Sequence, residues 1–139
     1  MRAAFAMLGV VLLGACHAEA APLITVNDAR VIALPTSAGA YFTLANSGGR
    51  DRLLSVDALG VGQAGLHLTD MADGFMRMRS LDGGIEVPAG ATVRLSPGGK
   101  HVMIQNLARP LAAGSTIRLT LKFERQGVVT IDAPVGEPR

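Results

Sequence analysis

Hydrophobic and polar positions alternate along much of this chain, in short segments separated by glycine, proline and asparagine. The clearest segment spans residues 116–123, where Ile117, Leu119, Leu121 and Phe123 alternate with polar side chains. Strict alternation of this kind predicts a β-strand with one buried face. Comparable segments predict further strands at 23–32, 41–45, 53–56, 66–68, 75–81, 85–87, 92–95, 101–105 and 128–131.

Turn signals divide these segments from one another. They include Asn46-Ser-Gly-Gly49, Asp82-Gly-Gly84 and Pro97-Gly-Gly99, while Gly60, Gly62 and Gly65 are expected to break the chain before residue 66. Many short strands with such turns predict an all-β fold, an antiparallel Greek-key sandwich or barrel. Asn27-Asp28 predicts a bulge in the first strand. Because the chain has no internal repeat, linker or low-complexity tail, we expect residues 21–139 to form a single domain.

The first twenty residues have the composition of an export signal. Arg2 gives a positive start, and residues 3–15 form an apolar run that is too short for a stable membrane anchor. Two processing routes remain open. Ala18-Glu-Ala20 predicts a signal peptide cleaved before Ala21, releasing a soluble protein. Leu13-Gly-Ala-Cys16 instead resembles a lipobox, which would leave Cys16 lipidated and tether the domain to a membrane. Both routes predict an exported, periplasmic protein.

Charge and composition exclude several classes of function. The formal net charge is only +2, without a basic run and with 4% aromatic residues, so a nucleic-acid surface is not expected. Cys16 is the sole cysteine, which leaves the mature domain without a disulfide. We do not expect an enzyme, because neither a nucleophile-elbow nor a zincin motif occurs in the sequence.

The candidate chemistry is concentrated between residues 67 and 103. This stretch contains every histidine and methionine of the predicted mature chain. Imidazole and thioether are uncharged ligands that suit soft Cu(I). His101-x-Met103 on a strand places both side chains on one sheet face, and ten residues separate His67 from Met78 across the Asp73-Gly74 turn. If these segments are neighbours in the sheet, the four side chains predict one Cu(I) site: His67, Met78, His101 and Met103.

Two further methionines lie nearby. Met is a flexible filler of protein cores, and that is the role we favour for Met71 and Met76. Both are also reserve ligands for the copper site, because Met76 shares a strand face with Met78. Phe75 is expected to pack or to shield, and the alternating Arg77 and Arg79 are expected to form a solvated face.

The same residues resemble a known family, the periplasmic Cu(I) chaperones called PCuAC. Its signature is a His, a Met about ten residues later, and a His-x-Met some twenty residues further on. Here twenty-two residues separate Met78 from His101. The resemblance covers residues 23–135 and includes the flanking segments Tyr41-Phe-Thr-Leu-Ala-Asn46, Gly74-Phe-Met-Arg-Met-Arg79, Ile85-Glu-Val-Pro-Ala-Gly90 and Leu119-Thr-Leu-Lys-Phe123.

This resemblance implies a cupredoxin-like β-barrel or sandwich. It also implies delivery of Cu(I) to the Cu-A centre of cytochrome c oxidase, with a Sco-type protein or an oxidase subunit as the copper acceptor. The chain departs from the family at two points. Leu68 stands where some members have a second Met, and the His/Met-rich C-terminal tail of some members is absent. We therefore expect a single Cu(I) site, without a strong Cu(II) site.

Three other functions compete with copper delivery. An electron-transfer cupredoxin would need a Cys thiolate beside two His ligands, and Cys16 lies in the leader, far from this stretch in sequence. A copper-storage or resistance protein would use the same four ligands without an oxidase client. An exported interaction module would need no metal, with its methionines simply buried.

Overall fold

Within residues 18–137, the part of the chain that the computed structural model describes, there are ten β-strands and no helix. The strands are β1 (Ile24–Ala33), β2 (Ala38–Asn46), β3 (Asp51–Asp57), β4 (Gln63–Ala72), β5 (Phe75–Ser80), β6 (Ile85–Val87), β7 (Thr92–Arg94), β8 (Lys100–Gln105), β9 (Thr116–Phe123) and β10 (Val128–Gly136). Cys16 and most of the predicted leader lie outside the described residues. No helix long and apolar enough to cross a membrane occurs in the described part.

The strands pair along one continuous path, β5-β4-β8-β2-β1-β10-β9-β3-β6, and β7 pairs with β2 beside it. All pairings are antiparallel except that of β1 with β10. The prediction of an all-β, cupredoxin-like sandwich is confirmed.

Alternating side chains from most of the strands form one hydrophobic core. β9 follows the predicted pattern, because Ile117, Leu119, Leu121 and Phe123 are all buried. Its polar positions are exposed or half-buried. Burial of these apolar side chains, at about 25 cal/mol per Å² removed from water, is the main force that holds the layers together.

Three local features refine the sequence predictions. The bulge at Asn27-Asp28 is confirmed, since the β1–β2 register shifts there and Asp28 has a positive φ of 54°. Gly65, expected to break the chain, lies instead inside β4, where β8 pairs with it. β10 continues past the predicted end at residue 131 to Gly136, because β9 and β1 both pair with its second half.

The β4–β5 hairpin fixes the register around the candidate site. Its loop is the two-residue Asp73-Gly74, and both residues have positive φ, 51° and 77°. An Asp-Gly pair of this kind is the preferred two-residue hairpin turn, because its twist matches that of the flanking strands. The turn places Met78 opposite Thr69 and Met76 opposite Met71.

Candidate metal centre

Three adjacent strands, β5, β4 and β8, bring the predicted ligands to one sheet face. His67 of β4 is the register partner of His101 of β8, and the two ring centroids lie 6.0 Å apart. Met78 is paired with Thr69, the next residue on the His67 face of β4. Met103 lies two residues after His101, on the same face of β8. Residues paired across antiparallel strands share a face, so the four side chains do not scatter around the sandwich.

His101 is the most enclosed of these side chains, with only 5% of its surface exposed. Its Nδ1 lies 2.9 Å from the carbonyl oxygen of Gly99. A carbonyl only accepts hydrogen bonds, so Nδ1 carries the proton and donates it. In the neutral ring, Nε2 is then left with a free lone pair.

That free nitrogen lies 3.2 Å from the Sδ atom of Met78. Thioether sulfur is itself only an acceptor, so no hydrogen is available between the two atoms when His101 is neutral. Two electron-pair donors therefore converge on the same space. Nitrogen and sulfur ligands of one tetrahedral ion, at bond lengths of about 2.0 and 2.3 Å, lie about 3.5 Å apart. The observed distance of 3.2 Å between His101 Nε2 and Met78 Sδ is close to this value.

The half-buried His67 ring lies over a glycine. A Cβ atom added to Gly65 would come within 3.2 Å of His67 Nε2. Burial of the ring and, second, the charge of His101 lower the pKa of His67 from its ordinary 6.5, and Asp82 opposes this shift. The lowered pKa favours the neutral form of the His67 ring, which is the form that binds metal.

Glycine flanks Met103 on both sides in the sheet register. Gly65 of β4 and Gly39 of β2 are its two partners. The Tyr41 ring lies over Gly39, since a Cβ there would come 2.5 Å from the Tyr41 hydroxyl oxygen, and its centroid is 6.3 Å from that of His101. The two glycines thus leave room beside Met103 for the rings of residues 67 and 41.

The remaining residues of the β4–β5 hairpin lie outside this cluster. Met71 and Met76 face each other two positions beyond Met78, and they are 67% and 72% exposed. The core-filling role expected for them is wrong, because neither side chain reaches the hydrophobic core. The expectation that Phe75 packs against the core is also wrong, because its side chain is 69% exposed. The solvated face expected for Arg77 and Arg79 is confirmed.

Several contributors to the site were not identified from the sequence. The carbonyl of Gly99 selects the His101 tautomer, and Gly65 and Gly39 make room for the neighbouring rings. One signal was available, because Gly65 and His67 are two residues apart and therefore share a face if both lie in a strand. Among the described residues, no three His, Cys, Asp or Glu side chains group together as a metal site. The cluster is instead made of two imidazoles with thioethers.

Comparison with known proteins relates the chain to one family. The family described as "Putative lipoprotein LpqE-like" matches residues 24–135. A relative named "Putative lipoprotein Lxx21020", from Leifsonia xyli subsp. xyli, is 38% identical over 72 residues. That stretch covers 52% of this chain and 43% of the relative, so less than half of the relative's length is matched.

Solved structures of similar fold include copper-bound domains. The copper-bound PCuAC domain from PmoF2 is 28% identical, with a TM-score of 0.67 over 83% of this chain and 93% of that domain. The solution structure of CuI-DR1885 from Deinococcus radiodurans is also 28% identical, with a TM-score of 0.66 over 87% of this chain and 83% of that one. For apo-DR1885 the TM-score is 0.62, at 28% identity, over 99% and 95% of the two chains.

Proposed function

This chain belongs to the LpqE-like family, which is the family of the PCuAC domains, and on that premise we propose that it is a copper chaperone. Its cargo is Cu(I), and its ligands are His67, Met78, His101 and Met103. The finer role that we propose is delivery of copper for assembly of the Cu-A centre of cytochrome c oxidase. A Sco-type protein or an oxidase subunit would accept the ion.

The observation that carries this proposal is the approach of His101 Nε2 to Met78 Sδ at 3.2 Å. When His101 is neutral, these two atoms repel as neighbouring lone pairs unless a cation lies between them. The Gly99 carbonyl fixes the tautomer that leaves Nε2 free, which is the arrangement by which metal-binding histidines are oriented. Thioether and imidazole donors favour Cu(I) over Mg, Ca or Mn, which prefer oxygen.

The four side chains differ in exposure, and this suggests how copper is held and released. His101 is buried and serves as the fixed ligand, while His67 and Met103 are half-buried. Met78 is 50% exposed and lies on the edge strand β5. An acceptor's thiolate can therefore displace the Met78 sulfur first, one bond forming as the other breaks. A thiolate binds Cu(I) more strongly than a thioether, so the exchange runs toward the acceptor.

The ligand assignment is tested by substitutions that remove sulfur but keep apolar volume. Met78→Leu and Met103→Leu are each expected to weaken Cu(I) binding about tenfold or more, because each removes one of four ligands. The measurement is competition with a chromogenic Cu(I) chelator under reducing conditions. Phe75→Leu is the matched control, since it changes an exposed apolar side chain of the same hairpin on the opposite face. Unchanged affinity in both of the first two variants would refute the assignment.

Copper storage or resistance is a second candidate function, because the same cluster would serve it. Deleting the gene distinguishes copper delivery from copper storage. Delivery predicts loss of cytochrome c oxidase activity when copper is scarce, with recovery on adding copper. Storage predicts normal oxidase activity and sensitivity to excess copper.

We further propose that the protein is exported and acts in the periplasm. The family and the Leifsonia relative are both described as lipoproteins, which favours lipidation of Cys16 over cleavage before Ala21. Ala20 and Ala21, four and five residues after Cys16, contact the domain, because the backbone N–H of Gly49 donates to the Ala21 carbonyl and the Arg125 guanidinium donates to the Ala20 carbonyl. A mature N-terminus at Cys16 with a lipid mass increment is the expected mass spectrum. A start at Ala21 would refute the tether.

A further inference from the structure

The outer end of the β4–β5 hairpin carries two solvent-exposed thioethers that the four-ligand site does not use. Met71 and Met76 are 67% and 72% exposed. Leaving large apolar side chains in water forgoes the stabilisation that burial would give. These two methionines therefore contribute little to holding the fold together.

The two side chains are arranged as a pair. Met71 and Met76 are direct partners across the β4–β5 ladder, separated from the Asp73-Gly74 turn by the Ala72–Phe75 pair. Side chains in such a pair have Cβ atoms about 4.5–5.5 Å apart. Three rotatable bonds in each let both sulfur atoms reach one ion between them.

This pair also continues the line of ligands. It lies on the same face as the Thr69–Met78 pair, two residues further along each strand. Two residues of strand correspond to about 6.5–7 Å. Flexible thioether side chains can span that distance, so an ion at the hairpin end can be reached from Met78.

The charges on the hairpin do not oppose a cation at this position. Arg77 and Arg79 alternate with the methionines and so lie on the opposite face. There they face Asp73 and Asp70, at 4.0 and 3.4 Å respectively. Their positive charge is directed away from the thioethers and partly balanced.

We propose that Met71 and Met76 form a second site for a soft monovalent cation, Cu(I) or Ag(I), which exchanges the ion with the inner cluster through Met78. In the exchange, a bond from the ion to the Met78 sulfur forms as a bond to Met71 or Met76 breaks. The ion keeps its charge, and neither a proton nor an electron is transferred. The exchange step rests on the proposed function, whereas binding at the pair does not.

Methionine methyl NMR during titration with Ag(I), a redox-inert soft cation of the same charge, tests the second site. The full chain is labelled with ¹³C at its methionine methyl groups, and single Met→Leu variants assign the signals. The first equivalent is expected to shift Met78 and Met103. The second equivalent is expected to shift Met71 and Met76, because two ligands hold an ion more weakly than four.

The double variant Met71→Leu/Met76→Leu distinguishes a metal site from an apolar docking surface, since leucine keeps the apolar surface but removes the sulfur. We expect it to keep the first binding step, to lose the second, and to transfer Cu(I) to a chelator several-fold more slowly. Phe75→Leu is the matched control, because it changes an exposed apolar side chain at the same hairpin end on the opposite face.

Two results would overturn the second site: a second equivalent that leaves the Met71 and Met76 methyls unshifted, and a first equivalent that shifts all four methyls together. A double variant that transfers copper as fast as the native chain would overturn the exchange step. Because the first two are read on the native chain, they hold even if the variant misfolds. Failure of the proposed function gives a different pattern, with Met78 and Met103 unshifted at every equivalent.

Discussion

Replacing Gly65 with alanine tests whether the backbone of β4 prepares the candidate site for its ion. The new Cβ would lie 3.2 Å from His67 Nε2 and 3.5 Å from Cδ2. Ordinary contacts between such atoms are about 3.5–4.0 Å, so the ring nitrogen has to move by about 0.3–0.8 Å. Changes in the groups that orient a metal-binding histidine typically weaken binding about 10–100-fold. We expect the variant to bind Cu(I) about tenfold more weakly, or about 1.4 kcal/mol.

The fold itself is expected to tolerate this change. Gly65 is not among the residues with positive φ, so alanine can adopt its backbone conformation. Such a substitution restricts the unfolded chain and adds about 0.4–1 kcal/mol of stability. Thermal unfolding of the metal-free protein should therefore show no loss of stability. The measured quantity that changes is Cu(I) affinity, determined by chelator competition.

Two comparisons make the result decisive. Gly83→Ala is the matched control, since a Cβ there has no neighbour within 4 Å, and it should leave copper affinity unchanged. In a His67→Ala background, Gly65→Ala should have no further effect, because the ring that it displaces is gone. Wild-type affinity in Gly65→Ala, or an equal loss with and without His67, would contradict the reasoning.

The remaining predictions concern stability. The buried Asp51 carboxylate accepts hydrogen bonds from three backbone N–H groups, each at 2.8 Å. Asp51→Ala should lower the free energy of unfolding, measured in urea, by about 3 kcal/mol because it leaves these donors without their partner. A loss under about 1 kcal/mol would contradict this role. Burial lowers the pKa of His67 below 6.5, so the unfolded chain takes up the proton first as pH falls. Stability of the metal-free protein should decrease as pH drops below about 6.5 and level off below the folded-state pKa. His67→Gln should reduce that pH dependence, whereas an unchanged profile would exclude His67 as its source.

The sequence alone determined the class of fold, because the alternation of apolar and polar residues along a half-buried strand can be read directly from the sequence. Every strand predicted from alternation or turn signals is present, and β9 has the predicted bounds. The Asp73-Gly74 turn likewise fixes the hairpin register locally, through the positive φ of both residues. Periodicity could not predict that Met71 and Met76 are exposed. It assigns residues to a face of the sheet but does not say whether another layer covers that face.

The candidate site divides in the same way. Sequence spacing put His101 and Met103 on one strand face, and composition pointed to soft-metal chemistry. Only the tertiary structure placed β4 between β5 and β8, which is what brings the sulfur of Met78 to the nitrogen of His101. It also determined that a carbonyl selects the His101 tautomer and that glycine clears space for the His67 ring. The contact between Met78 and His101 joins residues that are 23 apart in the chain, so it depends on strand order, which no local pattern of residues specifies. The other two contacts are each between residues two apart and depend on the backbone conformation at those positions.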